Sequence, residues 1–197
     1  MTPMPPSDYE WDVFLSYRRH SLTREWTREV SSRLQFWLSQ ELGVRDAKMF
    51  VDEDSIEVGD RWPEKLKEAL KLSRCMVCIW SPSYFQSSWC VSEWRSFLER
   101  ERMTGMQTHG LIAPMKFHDG EHFPEEARNV QWADVAAYTA TVPAFWTSQR
   151  AIELEDVLKQ FAHDVARIIG NAPAFRRDWP VVEASPYSAP RIGLARL

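Results

Sequence analysis

Neither an excess of positive charge nor a long apolar run occurs in this chain: 24 Lys and Arg face 28 Asp and Glu, for a formal net charge of −4. That balance gives no footprint for gripping a nucleic-acid backbone or an anionic membrane surface. No stretch approaches the roughly 20 apolar residues of a membrane span. The opening MTPMPPSDYE has neither the basic nor the apolar region of a signal peptide. Cysteine is scarce, and three is an odd number, which suits a reducing compartment better than a disulfide framework. Also missing are G-x-G-x-x-G and the P-loop, so the usual glycine-rich phosphate fingerprints are excluded. A cytoplasmic domain, with no nucleic-acid or membrane partner, is the expectation.

What is present reads as an ordinary globular domain: 44% hydrophobic and 26% charged residues over 197 positions, enough for one core. Ten tryptophans add a large aromatic load, which suits recognition or self-association as well as burial. Residues 1–8 are proline-bearing and expected to form a disordered lead-in. The domain proper is expected over 9–170, followed by a proline-rich segment, 171–197, that either packs on it through Phe175, Trp179 and Val181-Val182 or links onward.

Between these limits, strand-like and helix-like patterns alternate. WDVFLSY holds a short uninterrupted apolar run, as a strand covered on both faces should. After a cap at Ser21 or Thr23, Trp26, Val30, Leu34 and Trp37 recur at helical spacing, and Gly43 stops the helix. Met49-Phe50-Val51 predicts a second strand, followed by the acidic loop DEDSIEVGD. A helix from about Trp62-Pro63 buries Trp62, Leu66, Ala69 and Leu70. Cys75 to Trp80 predicts a third strand. A helix from Ser87 or Ser88 then sets Cys90, Trp94, Phe97 and Leu98 on one face. Leu111 to Met115 and, more weakly, Val135 to Tyr138 predict two further strands. Leu154, Leu158, Phe161, Val165 and Ile168 mark a last helix ending at Gly170. Alternation of this kind implies an open parallel sheet with helices on both faces.

In such a sheet, ligands bind beyond the carboxyl ends of the strands. Three segments are thereby singled out: SYRRHS, DEDSIEVGD and SPSYFQSSWCVSE. They hold Arg18 and Arg19, a Gly59 that lets backbone approach a ligand, and Trp89 four residues before Glu93. Positions 89 and 93 of one helix lie nearly above one another, so indole and carboxylate would share a cleft. An aromatic plate, a carboxylate and two guanidiniums suit a dinucleotide, the arginines meeting its pyrophosphate.

DVFLSYRR, the glycine-bearing acidic loop, SRCMVCIWSPSYF and W-C-V-S-E, in this order from about Tyr9 to Gly170, together resemble a TIR (Toll/interleukin-1 receptor) domain. The resemblance implies a flavodoxin-like α/β fold, an open parallel five-stranded sheet. SYRR followed by W-x-x-x-E is similar to the family's NAD⁺-cleaving branch, which includes an animal axon-degeneration enzyme and many bacterial and plant immune proteins. By position, Glu93 matches that branch's catalytic glutamate and Trp89 the aromatic near the nicotinamide. Tyr17, Arg18 and Arg19 match the loop after the first strand, and Gly59 the glycine of the so-called BB loop. Phe14 and Ser16 complete the expected substrate-binding set. TIR domains acting purely as receptor adaptors generally lack this glutamate. The implied activity is hydrolysis or cyclisation of NAD⁺, with NAD⁺ as substrate and no cofactor. Activation by self-association and a role in antiviral immunity, in a bacterial setting, are also implied, with an effector or sensor protein as a further partner.

Each residue has a plainer reading. Glu93 can be a solvated helix glutamate, Trp89 ordinary core, and the two arginines a solvated loop pair. Cys75 and Cys78, three apart on a strand, point to opposite faces, which argues against a redox pair or a metal clamp. His118 and His122 flank an Asp-Gly turn rather than sharing a helix face, so a metal site is not expected. Two rival functions stand beside the enzyme: a non-enzymatic TIR–TIR interaction module, and a glycosyl-transfer enzyme acting on nucleosides.

Overall fold

A computed structural model describes residues 8–51, 64–106 and 110–187. Five parallel strands run in the order β2-β1-β3-β4-β5: β1 Trp11–Tyr17, β2 Met49–Val51, β3 Ser73–Trp80, β4 Ile112–Lys116 and β5 Ala133–Asp134. This is the flavodoxin-like order, whose switch point lies between β1 and β3. The helices are α1 Arg24–Leu42, α2 Glu64–Leu72, α3 Pro82–Phe85, α4 Ser88–Thr104, α5 Glu125–Arg128 and α6 Gln149–Gly170.

Strand periodicity sorts the core into two halves. Val13, Leu15, Cys75, Val77 and Ile79 pack with α1 and α6, while Phe14, Met76, Cys78 and Trp80 pack with α2, α3 and α4. Cys75 and Cys78 thus lie on opposite faces.

On α1 the buried stripe is Trp26, Val30, Leu34 and Leu38 at strict four-residue spacing. Trp37, expected in that stripe, stands half-buried beside it and donates its indole N–H to Glu155 of α6. Thr23 occupies the cap position, yet its hydroxyl donates to the His20 carbonyl instead of accepting from the helix. Gly43 ends α1 at φ 65°, the left-handed conformation that a Cβ disfavours. At the end of α6 the buried residue is Ile169, with Ile168 half-buried beside it, and the helix ends at Gly170 as expected.

The fifth strand departs from expectation. It is Ala133–Asp134, and Ala136–Tyr138 form a 3-10 turn instead of a strand. Asp134 explains the bend: its carboxylate pairs with Lys116 of β4 at 2.6 Å and accepts from the Ala136 N–H at 3.1 Å. A side chain that bonds the backbone two residues on turns the chain out of the sheet. Trp62, Pro63 and the acidic loop with Gly59 lie outside the described residues.

Residues 179–187 lie against α4, and Pro173 and Phe175 before them meet Tyr9. Trp179 is fully buried and donates to the Tyr9 hydroxyl at 3.1 Å. The N–H groups of Val182 and Ala184 donate to Ser96 Oγ and Ser92 Oγ, each at 2.9 Å, and Phe175 meets Tyr9 edge to face. Serines four apart on a helix present hydroxyls along one line, which an extended segment can read with its backbone. Among the described residues no helix is long and apolar enough to cross a membrane.

Candidate functional site

β1 ends at Tyr17, and the chain turns through Arg18, Arg19 and His20 into α1. On the other side of the switch point, β3 ends at Trp80 and leads through the single turn of α3 into α4. Each of those helices is started by a serine. Ser81 Oγ accepts from the Tyr84 N–H at 3.3 Å, and Ser87 Oγ from the Cys90 N–H at 3.4 Å. These caps fix where the first turn of α4 begins, and with it the direction in which positions 89 and 93 point.

A cleft of about 850 Å³ opens between the two turns, lined by Tyr17, Arg18 and Arg19 on one side and by Ser87, Trp89, Cys90 and Glu93 on the other. That size falls within the range of small-molecule sites, on the order of 300–1,000 Å³. Trp89 and Glu93 therefore share the cleft that their spacing predicted, with the arginines across it. His20, Arg24 and Arg28 line it too. These three sit in a loop and on the polar face of α1, where such residues are ordinarily solvated and sequence pattern carries no signal of a site.

Glu93 is not a surface glutamate. It is 7% exposed, and Ser16 Oγ donates to its Oε2 at 2.5 Å. A buried carboxylate is costly unless partnered, and here the Ser16 hydroxyl is a partner. Ser16 points to the α4 side of the sheet and bonds Glu93 from within; it is not among the residues lining the cleft. Phe14 lies deeper still, 1% exposed and stacked on Phe50 at 5.3 Å between ring centres, in the core rather than the cleft. Gly59 lies outside the described residues.

Tyr84 joins the same cluster, its hydroxyl 2.8 Å from Ser16 Oγ. No sequence signal pointed to it, because the contact depends on how α3 packs on β1. Burial, foremost, pushes the thiols of Cys78 and Cys90 up, and the charge of Glu93 adds to the effect in both. They stay protonated and are poor nucleophiles. Among the described residues no group of three or more His, Cys, Asp or Glu is placed to hold a metal ion. The chemistry on offer is that of one buried carboxylate beside an aromatic ring, with several cations and the exposed Glu25 across the cleft.

Comparisons with known proteins agree with this architecture. “Disease resistance protein RUN1” of Vitis rotundifolia is 31% identical over 117 residues, covering 59% of this chain and 8% of that protein. “NAD(+) hydrolase TirS” of Staphylococcus aureus (strain MSSA476) is 34% identical over 106 residues, 54% of this chain and 34% of that protein. “Probable 2' cyclic ADP-D-ribose synthase BdTIR” of Brachypodium distachyon is 26% identical over 129 residues, 62% of this chain and 54% of that protein. The chain thus spans less than two thirds of the length of each of these relatives. The family model described as “TIR domain” matches residues 13–145, more than half of the chain, from within β1 to the turn before α6. On that match, over the strands and helices that frame the cleft, the chain belongs to the TIR-domain family.

Proposed function

We propose that this TIR domain cleaves the bond between nicotinamide and ribose in NAD⁺, releasing nicotinamide and ADP-ribose or a cyclic isomer of it. The observation that carries the reading is Glu93, buried yet at the cleft wall, its carboxylate held by Ser16 beside Trp89. Similarity to proteins named as an NAD⁺ hydrolase and a cyclic ADP-ribose synthase supports the same chemistry.

Glycoside hydrolysis ordinarily needs two carboxylates, one of them to protonate the leaving oxygen. Nicotinamide in NAD⁺ leaves from a cationic ring as a neutral molecule, so no general acid is required. What remains is to stabilise positive charge on the ribose as the bond lengthens, and a fixed carboxylate does that without reorganising. In this assignment Glu93 is the catalytic carboxylate, Trp89 stacks on the nicotinamide, and Arg18 and Arg19, with Tyr17, hold the pyrophosphate. Gly59, which matches the glycine of the family's so-called BB loop, is assigned to the same ligand. Water at the ribose carbon gives ADP-ribose; an internal nucleophile gives a cyclic product.

The enzyme acts in the cytoplasm, is activated by self-association and serves antiviral innate immunity. Purified protein incubated with NAD⁺ over a wide concentration series tests the reading. Release of nicotinamide should rise faster than linearly with protein. No release at any concentration would leave the non-enzymatic interaction module instead.

A further inference from the structure

We propose that Tyr84 and Ser16 form a buried hydroxyl relay that fixes the Glu93 carboxylate in the cleft wall, which makes Tyr84 a positioning residue for the reaction. The role in the reaction rests on Glu93 acting on NAD⁺; the relay itself rests only on geometry.

The direction of the relay follows from counting protons. Ser16 Oγ carries one proton, and an ionised carboxylate can only accept. At 2.5 Å from Glu93 Oε2, the serine therefore donates to the carboxylate. Its lone pairs are left to accept, and the Tyr84 hydroxyl lies 2.8 Å away. Tyr84 is fully buried, and burial above all pushes its phenol well above the ordinary range. It keeps its proton at any working pH and is the donor. The chain of bonds runs from Tyr84 through Ser16 to Glu93 Oε2, each hydroxyl polarising the next.

The supporting shell is equally specific. Neither Ser16 nor Tyr84 is among the residues lining the cleft, so neither is placed to touch a ligand there. Tyr84 sits on the single turn of α3, which Ser81 caps from one end and the Tyr187 N–H grips at the Phe85 carbonyl, 2.8 Å away. The Ser16 hydroxyl of β1 meets one oxygen of the carboxylate that α4 carries, and the Tyr84 hydroxyl of α3 meets Ser16 in turn. The orientation of Glu93 is thus set by the fold rather than by solvent.

The test uses the full chain as wild type, Tyr84→Phe, Ser16→Ala and Ser16→Thr. Titration of the Glu93 carboxyl carbon by NMR, assigned through Glu93→Gln, is read alongside nicotinamide release. Charged groups lining the same cleft (Arg18, Arg19, His20, Arg24, Glu25 and Arg28) and the buried thiols of Cys78 and Cys90 are common to all variants, so the differences report the relay. A hydrogen bond donated to a carboxylate stabilises its charged form. Its loss in Ser16→Ala should raise the titration midpoint by about one to two pH units. Tyr84→Phe, which keeps the packing, should raise it by about half a unit. Ser16→Thr, which keeps the hydroxyl, should stay near wild type. In the rate, Ser16→Ala should lower kcat about 10- to 100-fold with KM changed by no more than about twofold. An unmoved Glu93 titration in a folded Tyr84→Phe protein overturns the relay, and that variant carries the test if Ser16→Ala fails to fold. If wild type releases no nicotinamide, the NAD⁺ reading fails while the titrations still decide the relay.

Discussion

On the α1/α6 side of the sheet, the buried polar side chains among the described residues are Thr27 and Ser39 of α1; the rest of that core is Val, Leu, Ile, Ala and aromatic, with Cys75 and Met115. On the opposite side, Ser16, Ser73, Ser87, Ser92, Glu93, Ser96 and Arg100 are all buried. A polar group withdrawn from water destabilises unless it is bonded; most here are bonded, whereas Arg100 Nε and the indole N–H groups of Trp80 and Trp94 are buried without a hydrogen-bond partner among the described residues. Arg100 donates to the carbonyls of Ser73 and Leu70 at 2.7 and 2.8 Å and lies between the rings of Phe97 and Trp179. Ser92 and Ser96 bond the C-terminal segment, and Ser16 bonds Glu93. One face supplies stability through unspecific apolar contact. The other carries directed bonds: those of Arg100, Ser92 and Ser96 tie the start of β3 and the C-terminal segment to α4, and that of Ser16 holds Glu93 at the wall of the cleft.

The contrast breaks most visibly if an apolar truncation on the first face proves harmless. Leu158→Ala on α6 removes a fully buried side chain. It should cost about 2–5 kcal/mol in denaturant unfolding while leaving the residual folded protein's activity per molecule unchanged.

A second difference shows in pH. Glu101, on the α4 side, has its carboxyl pushed up to about 7 from an ordinary 4.5, because burial disfavours its charge more than the Leu111 and Ile112 N–H groups favour it. The fit is close: a Cβ at Gly110 would stand 2.5 Å from Glu101 Oε1, so a larger residue there would make the carboxylate shift. The folded carboxyl keeps its proton up to about pH 7, whereas the unfolded one releases it near 4.5. Its contribution is therefore complete below the lower value and lost as pH rises towards the upper. Wild type should lose up to about 3 kcal/mol between pH 4.5 and 7 relative to Glu101→Gln. Parallel stability curves for the two proteins would remove the assignment.

The smallest of these effects concerns the segment bonded to α4. Ser96→Ala leaves the Val182 N–H without its acceptor and should cost about 0.5–1.5 kcal/mol by the same unfolding measurement. A change of that size at an exposed position of α6, such as Ile152→Ala, would show that the polar face is not special.

The legible parts of the molecule were those that local pattern controls. β1 and β3 are uninterrupted apolar runs, and α6 declares itself through Leu154, Leu158, Phe161 and Val165. Glu93 and Trp89 could be paired in advance because four residues on a helix fix their relation. The fifth strand was misplaced because an edge strand of two residues has no period, and Asp134 bends the chain where Val135 and Ala136 suggest continuation. Trp37 and Leu38 both fit a helical stripe by spacing from Leu34, and it is Leu38, four residues on, that is buried. The relay was invisible for a different reason: Ser16 and Glu93 are 77 positions apart, Ser16 and Tyr84 68, and only the packing of α3 and α4 on β1 brings them together.

The most direct test of the central claim, that the polar face builds a site around one carboxylate, is nicotinamide release by wild type and Glu93→Gln side by side. Both are assayed at the same high protein concentration, with thermal unfolding recorded for each. Wild type should release nicotinamide, while Glu93→Gln should fall to background and unfold at no lower temperature, since the substitution removes a buried charge and keeps the shape. Equal release by the two folded proteins would contradict the claim.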